Sequence, residues 1–288
     1  MVSLTPDRLV VMDNSSLAGL IGQERVDAFL RVLIARDLHA LVPNETIGEY
    51  LSVAGSHVPP RIQVLRQLTS NQPVRVHLLE DMECLVRSEL DGVVGIPTRS
   101  DADEIASLGE LRPTELESLQ RWDDGAQEVT RSKDKAVEIT RTARDSRHGA
   151  NKALRTEGLA AAIVASESVV VRTNFLLATF GSMLARSPDD ILAALPTCPI
   201  LRAYLEVWTR QALADLLPDD DATGAAPYRC SLSKGRGDLF DNAIIAVASR
   251  ASILVTEDDK MRRKAEHLRG CGFVGAIPIS LDSFMTTG

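Results

Sequence analysis

Four acids carry most of the chemical content of this chain: Asp13, Glu49, Asp241 and Asp258. Asp13 closes the apolar run Leu9-Val10-Val11-Met12 and precedes Asn14-Ser15-Ser16. That pattern puts a carboxylate where a buried strand ends and a capped helix begins, the edge where open α/β folds keep their chemistry. The other three acids fall at strand or helix edges that reach the same place. Carboxylates converging within a few ångströms cannot all stay ionised unless protons or cations balance them. A hard divalent cation, Mg²⁺ or Mn²⁺, is the economical balance, because it takes oxygen ligands. Taken singly, each acid is most simply a solvated surface residue; the combination favours the metal.

The elements that must position these acids alternate between strand and helix. Leu9–Met12 reads as the first strand, and Ser15 or Ser16 as the cap of the helix that follows. Val26, Phe29, Leu30, Leu33 and Ile34 keep the helical period. Ala40-Leu41-Val42 reads as the second strand, and Pro43-Asn44 opens a helix carrying Ile47, Tyr50 and Leu51. Pro59-Pro60 opens another helix, and Val74-Val76-Leu78 reads as the third strand. From Asp101 to Leu217 the pattern is helical, with no convincing strand, and a loop of acidic and small residues, Pro218 to Gly224, follows. The alternation returns with a helix from Asp238 to Ser249, a fourth strand Ile253-Leu254-Val255, a basic helix from Lys260 to Arg269, and a fifth strand between Val274 and Ile279. Such alternation implies βαβ units and a parallel sheet. The expected organisation is an α/β domain from residues 1–91 and 236–288, interrupted by a helical insertion domain, 92–235.

Composition narrows the function class. The chain has 288 residues, 44% of them hydrophobic and 25% charged, which suits a sizeable core. The formal net charge of −8 excludes a general polyanion-coating protein, so any nucleic-acid contact must be local. Cys84, Cys198, Cys230 and Cys271 show no zinc spacing and no disulfide framework, so a reducing, cytoplasmic compartment is expected. No signal peptide or membrane span is expected.

The four acid-bearing segments together resemble PIN-domain nucleases. Asp13-Asn14-Ser15-Ser16-Leu17 resembles that family's first motif, and Thr46-Ile47-Gly48-Glu49-Tyr50-Leu51 its second. The run from Gly237-Asp238-Leu239-Phe240-Asp241 through Ala248 resembles the third, and Leu254-Val255-Thr256-Glu257-Asp258 the fourth. Each motif is weak alone; their order and attachment to the right elements make the set fairly specific. The resemblance covers the two α/β portions and leaves the helical tract unexplained, since compact PIN toxins of toxin–antitoxin pairs lack such an insertion. It implies a PIN-like three-layer α/β/α fold with strand order 3-2-1-4-5, so that strands one and four place Asp13 and Asp258 side by side.

It further implies a metal-dependent endoribonuclease that leaves a 5′-phosphate and a 3′-hydroxyl. Asp13, Asp241 and Asp258 would be metal ligands, and Glu49 a ligand or an orienter of metal-bound water. Auxiliary candidates are Ser15, Asp238, Thr256 and Asp259. Ser15 could bind substrate phosphate or hold Asp13, and Thr256 could orient the cluster. Simpler roles compete: a helix cap for Ser15, a strand end for Thr256, and dipole-favoured helix-start acids for Asp238 and Asp259. Glu45 competes with Glu49, which fits the motif spacing from Pro43 better.

Candidate nucleic-acid contacts are Lys260, Arg262 and Arg263, with Lys264 beside them, after Asp258. Lys234 and Arg236 precede Asp241, and Arg141, Arg144, Lys152 and Arg155 share a helical face in the insertion. A solvated helix face with ion pairs is an equal reading of that last stripe. RNA is the expected substrate, DNA is not excluded, and a homo-oligomer or an antitoxin-like regulatory protein would fit the resemblance. The competing functions are an inert PIN-like RNA-binding or assembly module and a flap-type DNA nuclease. A haloacid-dehalogenase-like phosphohydrolase would want an acid two residues beyond Asp13, where Ser15 stands.

Overall fold

The computed structural model describes residues 1, 3–52, 58–71, 73–99, 131, 134, 138, 186–214, 225–229 and 238–286. Five short strands form one all-parallel sheet: β1 (Leu9–Met12), β2 (His39–Val42), β3 (Val76–Leu78), β4 (Ile253–Val255) and β5 (Ile277–Ile279). Their order is β3-β2-β1-β4-β5, as expected. β1 pairs with β2 on one side and β4 on the other, with Met12 opposite Val255. All four residues of β1 are buried, because a central parallel strand is covered on both faces.

The alternation of side chains along β1 divides the core. Leu9 and Val11 face one cluster and Val10 and Met12 the other. The first cluster packs the sheet against α5 (Met82–Leu90), α6 (Pro188–Ala194), α7 (Pro199–Ala214), α8 (Asp238–Val247) and α9 (Asp259–Gly270). The second packs it against α1 (Asn14–Ala18), α2 (Gln23–Ala35), α3 (Asn44–Leu51), α4 (Val58–Thr69) and α10 (Leu281–Thr286).

Two expected elements are shorter than their apolar patterns. Val74 is exposed and precedes β3, and β5 begins at Ile277, although Val274 and Ala276 are buried. α5 had no separate sequence assignment. Its start is fixed by Asp81, whose side chain accepts from the Cys84 N–H at 2.9 Å.

The described end of the 92–235 tract shares a core with the sheet. Leu201, Leu205 and Val207 of α7 lie in the same cluster as Leu9 and Leu41. Glu89 at the end of α5 accepts from the Ile200 and Leu201 N–H groups at 3.2 and 3.1 Å, so a buried carboxylate caps the start of α7. Among the described residues no single helix is long and apolar enough to cross a membrane. One bent pair, Asp189–Thr197 with Pro199–Gln211, passes on composition alone, and it supplies core residues such as Ile191, Leu195 and Leu201.

Candidate metal centre

Asp13 sits where β1 leaves the sheet beside β4, at the point where the strand order reverses. Its backbone N–H donates to the Val255 carbonyl at 3.3 Å. It is also the N-cap of α1. The Ser16 N–H donates to Asp13 Oδ1 at 2.8 Å, and the Asp13 N–H donates back to Ser16 Oγ at 3.1 Å. This capping box corrects the expectation that Ser15 or Ser16 caps the helix: the carboxylate does, with Ser16 completing the exchange.

Ser15 serves the carboxylate instead. Its hydroxyl lies 2.9 and 2.7 Å from the two Asp13 oxygens, and its own oxygen accepts the Glu257 N–H at 2.9 Å. Thr256 donates to Asp13 Oδ2 at 2.6 Å and accepts the Asp258 N–H at 3.0 Å. Both auxiliary residues thus orient Asp13 while tying β1 to the segment that carries Asp258. Asp13 is only 2% exposed, and burial pushes its carboxyl above the usual range against the opposing pull of the Thr256, Ser15 and Ser16 bonds.

The other acids lie on α3, on α8 and at the start of α9. Thr46 of α3 donates to the Met12 carbonyl at 3.2 Å, which locks the helix carrying Glu49 onto the end of β1. Glu49 is half-buried on α3. Asp241 is half-buried in the first turns of α8, which touches both α3 and β1. Asp258 caps α9, accepting the Met261 N–H at 2.9 Å. Asp259 is exposed and paired with Arg262 at 2.5 Å. Asp238 begins α8, and its side chain lies outside the described residues.

Glu45 adds an acid that motif spacing had ranked second. Burial raises its carboxyl first, and the charges of Asp81 and Glu49 raise it further. Its Oε2 is buried with no hydrogen-bond partner among the described residues. A buried carboxylate oxygen without a donor is costly, and a cation would relieve it. The signal available in the sequence was the position of Glu45 one helical turn before Glu49.

The donor set is all hard oxygen and suits Mg²⁺ or Mn²⁺. Among the described residues, however, no group of three or more His, Cys, Asp or Glu is assembled to hold a metal ion. The hydrogen-bonded part of the centre is therefore Asp13 with Ser15, Ser16 and Thr256, and the remaining acids lie on α3, on α8 and at the start of α9.

Of the candidate nucleic-acid contacts, Lys260 and Arg262 are half-buried and Arg263 is exposed, all on α9. Arg141, Arg144, Lys152, Arg155, Lys234 and Arg236 lie outside the described residues. Lys264 is a correction: it has no exposed surface and donates to Asn242 Oδ1 at 3.0 Å, so it cannot contact a substrate. No family model, curated protein or solved structure matches this chain.

Proposed function

We propose that the chain is a metal-dependent endoribonuclease of the PIN-like type, hydrolysing RNA phosphodiester bonds with Mg²⁺ or Mn²⁺. The observation that carries this reading is the buried Asp13 carboxylate at the β1–β4 switch point, held by two hydroxyls and a backbone N–H. Asp13, Asp241 and Asp258 would hold the cation directly or through water. Glu49, with Glu45 one turn before it, would complete the set or orient water. When bound, such a cation lowers the pKa of a coordinated water and stabilises charge on the phosphate.

The residues around the acids have separable roles. Ser15 and Thr256 fix the orientation of the Asp13 carboxylate. Thr46 fixes the approach of Glu49. Lys260, Arg262 and Arg263, shortly after Asp258 in sequence, would meet the phosphate backbone and make affinity salt-dependent.

The test is cleavage of end-labelled RNA and DNA by purified protein with Mg²⁺, Mn²⁺ or EDTA. RNA cutting that EDTA stops supports the reading; EDTA-resistant cutting, or none with either metal, overturns it. A second reading, an inert RNA-binding module, is favoured by one observation: the Asp258 side chain is already used as a helix cap. RNA binding without cleavage in the same assay would select it.

A further inference from the structure

Lys264 lies on α9 with no exposed surface. A buried ammonium needs its hydrogens satisfied in place. It donates to Asn242 Oδ1 at 3.0 Å, and Asn242 Nδ2 donates to Gln211 Oε1 at 2.6 Å. Asn242 is 0% and Gln211 3% exposed. Lysine can only donate, so the Asn242 oxygen must face it and the amide NH₂ must face Gln211. The chain of bonds runs in one direction and ties α9, α8 and α7 together in a setting without water competition.

Asn242 directly follows Asp241 on α8. Successive residues of an α-helix stand about 100° apart around its axis. Holding Asn242 inward therefore fixes the direction in which Asp241 leaves the helix. The tie acts in the first turns of α8, where the helix lacks its full set of internal hydrogen bonds. Any rotation that broke the Lys264–Asn242 bond would swing Asp241 through the same angle.

We infer that Lys264 is a positioning residue for Asp241, acting through Asn242, and that this buried relay sets the metal affinity of the acid edge. The inference rests on the reading of Asp241 as a metal ligand. Its test is Mn²⁺ titration of the full chain, followed by electron paramagnetic resonance of the free ion, at a temperature where every variant is folded. Lys264→Met keeps the apolar stem and removes the donor.

Lys264→Met should weaken Mn²⁺ binding by roughly tenfold or more, the usual effect of removing an outer support of a ligand. In the Asp241→Asn background the same substitution should change nothing further, because the residue it positions is gone. A general loss of packing would lower affinity equally in both backgrounds, and that result overturns the inference, as does an unchanged midpoint. If Lys264→Met does not fold, Gln211→Met breaks the far end of the relay while keeping the charge. It should give a smaller loss in the same direction, and no loss overturns the inference. A wild type that neither binds Mn²⁺ nor cleaves RNA removes the nuclease reading and this inference together. A wild type that does both, beside a Lys264→Met protein of equal affinity, removes this inference alone.

Discussion

The two ends of the sheet are both polar, yet they balance their charges differently. At the end where the strands begin, a single acid is balanced by two arginines, although Arg75 Nε is buried without a partner among the described residues. Asp37, in the turn before β2, pairs with Arg8 and, at 2.6 Å, with Arg75. It adopts φ 54°, a left-handed conformation that aspartate tolerates better than most residues. Arg75 also donates to His39 Nε2 at 2.9 Å, and His39 Nδ1 lies 2.9 Å from His77 Nε2. Arginine can only donate, so His39 carries its proton on Nδ1 and passes a hydrogen bond to His77. Both rings are neutral in this arrangement.

At the opposite end, Asp13 is held by hydroxyls and a backbone N–H, and Glu45 has an orphaned oxygen beside Asp81 and Glu49. One end balances its acid with two arginines; at the other, the proposed cation would supply the balance.

The largest expected separation between the two ends is in metal-linked stability. One ion binding at about a hundred times its Kd adds about 2.7 kcal/mol. Mg²⁺ or Mn²⁺ should therefore raise the melting temperature of the wild type and of His77→Gln alike. It should not raise that of Asp13→Asn. An equal shift in all three would place the ion elsewhere.

The next effect belongs to the histidine end. Burial, then the neighbouring His39 and the chain N-terminus, holds His77 down to about 4, and burial with Arg75 lowers His39 as well. Between the unfolded value of about 6.5 and the folded one, the unfolded chain binds more protons, so stability falls as pH drops through that window and is flat above it. The loss for His77 should be on the order of 2 kcal/mol after discounting its partial exposure. His77→Gln keeps an acceptor for His39 and should flatten the slope in denaturant titrations at stepped pH.

Thr256→Val should cost about 1–2 kcal/mol, since it strands the Asp258 N–H and removes a donor from Asp13. It should also slow cleavage, and both losses can be read from one preparation by urea titration and RNA turnover. Arg8→Ala, at a solvent-exposed pair with Asp37, should change stability by less than about 1 kcal/mol and leave cleavage unaltered.

Much of the fold was legible because buried parallel strands read as unbroken apolar runs. Leu9–Met12, Ala40–Val42 and Ile253–Val255 stand out for that reason, and the acids at their ends mark one edge of the sheet. What stayed hidden depends on contacts between distant segments. The pattern around Asn14-Ser15-Ser16 announces a cap without saying that Asp13 provides it. A lysine in a basic run looks solvated, yet Lys264 is turned onto Asn242 of another helix. Glu89 reads as an ordinary surface acid until α7 docks its N–H groups on it. The burial of Glu45 is equally invisible to spacing, because Glu45 and Glu49 occupy the same helical face.

The most direct measurement is Mg²⁺-dependent turnover of labelled RNA by wild type, Asp13→Asn and His77→Gln at pH 7.5, with folding checked by circular dichroism. A nuclease centre at the β1–β4 edge requires cleavage by wild type and His77→Gln at similar rates, and background cleavage by folded Asp13→Asn. Wild-type cleavage by folded Asp13→Asn would contradict it.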